Sequence, residues 1–325
     1  MKNEYLMNTR TMTFKQFFFV SLAVAGLVTG CAGEDTLTES GERTPVVFYP
    51  HTRTVFDDNN KTFWKEDDAV GVFMVKAGGA MPADIVDGVN NKLYTVSDAV
   101  TGTLVPADGQ SIYYPKSEAV DFVAYYPYVS TPDYLLDLDV NDQTTAEKQA
   151  AVNCVYSNNA RNIGSSEEAV ALRFHHLLAK VKLNITLGEG LVGGSVTGVM
   201  LSGMPQGVKF DMRNGTINQV VPPSDTQLVS SLKLAEASSG ADVTFTALVV
   251  PQGAGIYTGR KIHVTVNGET YSGDIPDTDA YDGNVMYVYP VTVHRNGVAV
   301  GNMSITDWNN IDYGTDGTTE ILNVL

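Results

Sequence analysis

Five histidines, two cysteines and 37 carboxylates are the side chains best suited to chemistry, so their spacing decides what the chain could catalyse. His175 and His176 are adjacent. In a strand such neighbours point to opposite faces, so the pair cannot close on one metal ion in the usual way. His51, His263 and His294 show no metal-ligand spacing. Asp137-Leu138-Asp139-Val140-Asn141 begins like a calcium loop, but Asp142 stands where the turn glycine belongs and Lys148 where the bidentate glutamate belongs. It reads as a solvated loop. Asp57, Asp58, Glu66, Asp67 and Asp68 read as surface charge, with a structural Ca²⁺ as the alternative. No Gly-x-Ser-x-Gly, phosphate loop or dinucleotide fingerprint occurs. Cys154, within Val152-Asn153-Cys154-Val155-Tyr156, reads as a small core residue and not as a nucleophile. A glycosidase would need two carboxylates set across a cleft, and nothing in the spacing points to such a pair. The chain is therefore read as a non-enzyme with no cofactor and no metal. Tyr113, Tyr114, Tyr125, Tyr126 and Tyr128 cluster in sequence. They read as half-buried sandwich positions, with an aromatic carbohydrate-binding face as the alternative.

Charge narrows the partners. The 325 residues carry 21 Lys+Arg against 37 Asp+Glu, a net charge of −16. Such a surface repels a phosphate backbone, so nucleic acid is excluded as a partner. The N-terminus reads as an address. Lys2, Arg10 and Lys15 precede the apolar run Phe17–Val28, whose 12 residues fall short of the roughly 20 that a spanning helix needs. Val28-Thr29-Gly30-Cys31 ends the run and resembles the bacterial lipoprotein box, with Cys31 as the acylated residue and residues 1–30 as the signal peptide. Loss of Lys2, Glu4, Arg10 and Lys15 leaves 18 positive and 36 negative residues, or −18. Glu34 and Asp35 resemble a surface-export signal behind the lipid. Residues 31–44 are polar and aperiodic, and read as a tether.

These residues need a scaffold, and the periodicity is that of strands. After residue 44 the nearest approach to a helical stripe is Thr144–Tyr156. Strand signals recur at Val46–Tyr49, Ala69–Val75, Ser111–Tyr114, Ala119–Tyr126, Thr244–Val250, Lys261–Val266, Val285–Val293 and Gly297–Ile305. Lys180–Leu187 alternates cleanly, as a half-buried antiparallel strand would. About a dozen strands joined by short turns predict β-sandwiches, and the length predicts two of them. The polar stretch Ser157–Glu168 shows neither period. It places the boundary between an N-terminal domain, residues 45–165, and a C-terminal domain, residues 166–325.

Four segments, taken in order, resemble the Mfa-like fimbrillins of Bacteroidetes, which build type V pili. They are Thr52-Arg53-Thr54 with Thr62–Phe73; Tyr113-Tyr114-Pro115 with Val120–Tyr128; Leu172–Val181; and Gly283–Val293 with Ile305–Trp308. The resemblance implies an all-β chain of two tandem transthyretin-like β-sandwiches. It implies a lipoprotein of the outer membrane and fimbrium that assembles with other fimbrial subunits. It also implies a surface Arg-specific protease that removes the lipidated peptide and first strand, so that a neighbour's strand can fill the groove. In this sequence the displaced strand would be Val46, Val47, Phe48 and Tyr49. Arg53 is the expected cleavage site and Arg43 the alternative. Cleavage after Arg43 would leave the strand attached and open no groove. The tail residues Ile321, Leu322, Val324 and Leu325 are the candidate donor strand, or else complete their own sandwich. In the latter case a tip, anchor or monomeric adhesin role follows, with a host glycan or protein as partner.

Overall fold

The computed structural model describes residues 43–50, 55–56, 62–99, 101–130, 133–166, 168–227, 229–230 and 243–308. Alternating residues build its second half. Val181, Leu183 and Ile185 are buried on one face of the strand Ala179–Leu187, which pairs antiparallel with Val243–Val249 and parallel with Val285–His294. The expected antiparallel strand is thus antiparallel on one side only. Val229–Ser230, Gly297–Val300 and Ser304–Asp307 complete this sheet. Facing it is a five-stranded sheet of Thr216–Gln227, Val196–Asp211, Lys261–Val266, Glu269–Asp274 and Leu135–Asp139. The two share one core, in which Val181, Leu183, Phe245, Tyr289 and Val291 meet Val199, Leu201, Ile262 and Val264.

Val55–Phe56 and Thr62–Phe63 form a separate antiparallel pair, beside which the first half is built on one eight-stranded sheet. Its order is Val170–Leu172, Phe48–Pro50, Thr103–Pro106, Lys92–Asp98, Ala69–Lys76, Val120–Tyr126, Val155–Ile163, His175–His176. The polar stretch beginning at Ser157, read as a connection, therefore holds the end of a strand through Ile163. Its ladder bonds to Val120–Tyr126 form whatever the side chains are, and the half that faces solvent carries the polar residues. Val170–Leu172 and His175–His176 follow it within the same sheet. Asp137 and Asp139, read as part of a loop, lie instead in the strand Leu135–Asp139, which pairs with Gly207–Asp211.

All seven residues of Val120–Tyr126 are buried. Phe122 and Ala124 enter a first core with Val70, Val72 and Phe48. Val123 and Tyr125 enter another with Phe73, Cys154, Val208, Phe210 and Leu248. A strand covered on both faces must read as a continuous apolar run, and Ala119–Tyr126 does so except at Asp121. Asp121 is almost wholly buried. Its carboxylate accepts from Arg161 Nη1 at 2.8 Å, from the Asn162 N–H at 2.7 Å and from the Gly78 N–H at 3.0 Å. Burial pushes its pKa up, but these donors together outweigh burial and hold it below the ordinary carboxylate value. A depressed folded pKa stabilises the protein above the unfolded value, about 3.9, and that stability is lost as pH falls through the folded value. Asp121→Asn should therefore cost about 2 kcal/mol at pH 7 in urea titrations and flatten the acid limb below about pH 4.

Side chains bond to one flank of the Val243–Val249 strand, where, among the described residues, Val229–Ser230 pairs with Phe245 and Thr246 alone. Beyond it, Gln143 takes the place of a neighbouring strand. Its Nε2 donates to Leu248 O at 2.7 Å and its Oε1 accepts from Leu248 N at 2.8 Å. Gln149 Nε2 donates to Thr246 O at 2.9 Å. The short helix Ala146–Val152, capped by Thr145 Oγ1, carries Gln149 there. The helix is the one foreseen within Thr144–Tyr156.

Candidate functional site

The segment Thr44–Pro50 lies between two neighbours. On one side Phe48, Tyr49 and Pro50 pair in parallel with Val170, Ala171 and Leu172, and the Val170 N–H donates to Val47 O at 2.7 Å. On the other side Phe48 pairs antiparallel with Leu104, and Pro45 bridges Tyr113. The Val46 N–H donates to Ile112 O at 2.9 Å, and the Tyr114 N–H to Thr44 O at 3.0 Å. The segment is therefore an interior strand of the first sheet, and both of its edges are used.

Its side chains alternate as a strand's must. Val46 and Phe48 are buried, whereas Val47 is 49% exposed and Tyr49 is intermediate. Phe48 anchors the segment. Its ring meets Tyr94 edge-on at 5.2 Å between centroids and Phe122 at 5.1 Å. Tyr94 braces the same place, because its hydroxyl accepts the Ile112 N–H at 3.2 Å. Burial pushes the Tyr94 hydroxyl up to about 12, so it stays neutral at any physiological pH. Gly102 closes the end of the slot at φ +71°, where a Cβ would stand 3.2 Å from Pro50 Cγ and 3.1 Å from Trp64 Cδ1. Trp64, fully buried, stacks edge-on against Tyr126 and Phe174 at 5.8 and 5.5 Å. Without Thr44–Pro50 the sheet would hold a slot between Leu104 and Val170, floored by Tyr94 and Phe122.

The remaining candidates fall as follows. Arg43 is exposed, and its Nη1 donates to Asp87 Oδ2 at 2.9 Å. Cys31, Arg53 and the tail residues Ile321, Leu322, Val324 and Leu325 lie outside the described residues. His175 is exposed and His176 buried, on opposite faces of their strand. His176 Nδ1 lies 2.8 Å from Asn153 Oδ1, and its ring stacks on Trp308 at 3.8 Å. Cys154 is fully buried, and burial pushes its thiol up to about 12, too high for a thiolate nucleophile. The tyrosine cluster does not form a face. Tyr114, Tyr125 and Tyr126 are core residues, and Tyr113 is exposed at 42%.

The slot's partner residues were partly missed in the sequence. Tyr113, Phe122 and their strand signals were legible, but Thr103–Pro106 was not, because it is four residues long and ends in proline. The alternation of buried Tyr94 and Val96 in the preceding strand, Lys92–Asp98, is the signal that could have pointed to its partner at Leu104.

Comparison with known proteins places this architecture. A candidate fimbrium subunit of Bacteroides uniformis, Fim1C, is 29% identical over 314 residues, which cover 90% of this chain and 95% of the relative. A crystal structure of a candidate cell adhesion protein from Bacteroides uniformis matches with a TM-score of 0.63 at 22% identity, covering 82% of this chain and 98% of that one. A candidate cell adhesion protein from Bacteroides ovatus matches with a TM-score of 0.67 at 19% identity and the same coverages, 82% and 98%. These structures share the fold. A family model described as fimbrillin-like matches residues 52–308, and the chain belongs to that fimbrillin-like family.

Proposed function

We propose that the chain is a structural subunit of a fimbrium. It is exported to the outer membrane as a lipoprotein acylated at Cys31, and it becomes competent for assembly when its N-terminal strand is cut away. The observation that carries this reading is the interior position of Thr44–Pro50, paired on both sides and anchored by Phe48. Removing an edge strand would only shift an edge. Removing this one would leave unpaired N–H and C=O groups on both walls of an apolar slot, which an added strand can satisfy.

Arg53 is the third residue after Pro50, so cleavage there by an Arg-specific surface protease would separate the whole strand from the rest of the chain. Arg43 serves less well. Its guanidinium is engaged by Asp87, and the residues that follow it are already in the ladder, so a protease would have to unzip them to fit the scissile bond. The incoming strand would come from another fimbrial subunit, with Ile321, Leu322, Val324 and Leu325 as this chain's own candidate donor. The role is mechanical and needs no catalysis.

The test is the intact mass and N-terminal sequence of the protein recovered from the cell surface. A chain that starts at Thr54 without lipid is the expected result. A chain that still starts at acylated Cys31 in assembled fibres would overturn strand removal and point to an anchor.

A further inference from the structure

The slot selects what can enter it by the sizes of its inward positions. Val46 fills the first and Phe48 the second, and both are buried, whereas Val47 between them is 49% exposed. The second position is shaped for a ring. Phe48 meets Tyr94 at an interplanar angle of 84° and Phe122 at 81°, so each contact is edge against face. Leu104 and Val170 stand beside Phe48 on the two walls. These neighbours are held in place. Tyr94 is tied to the Ile112 N–H, and Phe122 is braced in turn by Tyr114, edge-on at 6.2 Å between centroids. An aliphatic group in place of the ring therefore leaves a cavity, and a polar group there loses its hydration.

This chain's own tail does not match that pattern. Thr318-Thr319-Glu320-Ile321-Leu322-Asn323-Val324-Leu325 holds no aromatic residue. Alternate residues of an inserted strand face inward. One phase turns Glu320, Leu322 and Val324 inward, and the other turns Ile321, Asn323 and Leu325 inward. In the first phase the ring position receives leucine or valine at best. In the second it receives isoleucine or leucine only with Asn323 at the next inward position. Reversing the direction of insertion changes neither set. The nearest aromatic residue upstream, Tyr313, is five residues beyond Trp308, which is 4% exposed in this chain's own core. At roughly 3.4 Å per residue that leash is about 17 Å, too short to lay a strand across a neighbour's slot.

We infer that the slot accepts a strand from a different subunit, one that carries an aromatic residue where Phe48 now stands and a valine-sized residue two places away, and that it discriminates against this chain's own tail. The inference rests on strand removal as proposed above and names the incoming partner by its side-chain pattern. Ladder bonds to the walls are open to any sequence and supply affinity, so the ring position supplies the choice. Cut copies of this chain alone would then stay apart, and its acceptor side would take a heterologous neighbour.

The test uses the full mature chain, cut after Arg53 by an arginine-specific protease, with the single cut verified by mass. A fluorescent peptide of residues 44–50 is exchanged into it, and unlabelled peptides compete. The Phe48→Leu peptide should compete about tenfold more weakly than the parent, and the Phe48→Ala peptide about a hundredfold or more. A peptide with both Val47→Phe and Phe48→Val keeps the composition but carries its ring on the exposed side, so it should compete more weakly than the leucine peptide. The peptide of residues 318–325 should do the same, and the cut chain alone should remain monomeric in light scattering. The proposal falls, while strand removal stands, if the fluorescent peptide enters and any of the alanine, exchanged or tail peptides competes as well as the parent. It falls likewise if the cut chain polymerises by itself. If the fluorescent peptide does not enter the cut chain at all, strand removal and the proposal fall together.

Discussion

Phe48→Ala should lower the unfolding free energy by about 3–5 kcal/mol, the usual range for deleting a large aromatic from a core. The ring is 1% exposed and is gripped edge-on by Tyr94 and Phe122, neither of which can collapse far into the space it leaves. Tyr94 is held by the Ile112 N–H, and Phe122 belongs to a strand buried on both faces. The loss should appear as a lower urea midpoint with an unchanged slope. Val47→Ala is the control. Val47 occupies the same strand but is 49% exposed, and it should cost under about 1 kcal/mol. Equal losses in the two variants would mean that the strand is held by its ladder alone. The slot would then have no dominant pocket, and the identity of an incoming side chain would matter little.

Gln143→Ala should cost about 3 kcal/mol, although it removes a polar residue. Gln143 is completely buried, and its amide satisfies both backbone groups of Leu248 while also donating to Val140 O at 2.8 Å. Truncation strands the Leu248 N–H and C=O where water cannot readily reach them, and each orphaned group carries its own penalty of about 1–3 kcal/mol. Gln143→Leu fills the space and should recover little, since it supplies neither donor nor acceptor. Guanidinium titration of both variants checks this. Substantial rescue by leucine would show that packing, and not the amide, is what the residue supplies.

How legible each part was follows from burial. Lys180–Leu187, Lys261–Val266 and Val285–Val293 could be read because one face is wet, which keeps the period of two visible. Val196–Asp211 could not. It is a 16-residue strand interrupted by Gly198, Gly203, Pro205 and Gly207, and its register shifts near Val196/Gly198, Leu201/Met204 and Gly207/Val208 absorb those breakers. Ser111–Tyr114 carries a strand pattern, but in the fold it is an extended segment that meets Pro45 at a single bridge. In the candidate site, the alternation at Val46–Tyr49 gave the buried pair, Val46 and Phe48. It could not show that the strand is interior, because the Val170–Leu172 partner lies more than a hundred residues away and pairs in parallel. Ser157–Glu168 reads as a linker because its side chains are polar, yet Ser157–Ile163 is the end of a strand, since the ladder to Val120–Tyr126 does not depend on side-chain type.

The glutamines at the rim of the Val243–Val249 strand bear on what kind of polymer such a subunit could form. A side-chain amide offers a peptide's hydrogen bonds but has no onward backbone, so where Gln143 and Gln149 occupy Leu248 and Thr246 the strand cannot template another along that stretch. In the language of polymer chemistry, every exposed edge is a reactive end, and the number of reactive ends per monomer decides whether growth yields a line, a branch or a gel. In the proposed scheme, a subunit with one acceptor slot and one donated strand would have a functionality of two. Backbone groups of Thr246 and Leu248 taken up by glutamines would then be withheld from any further strand, which favours a filament over a network.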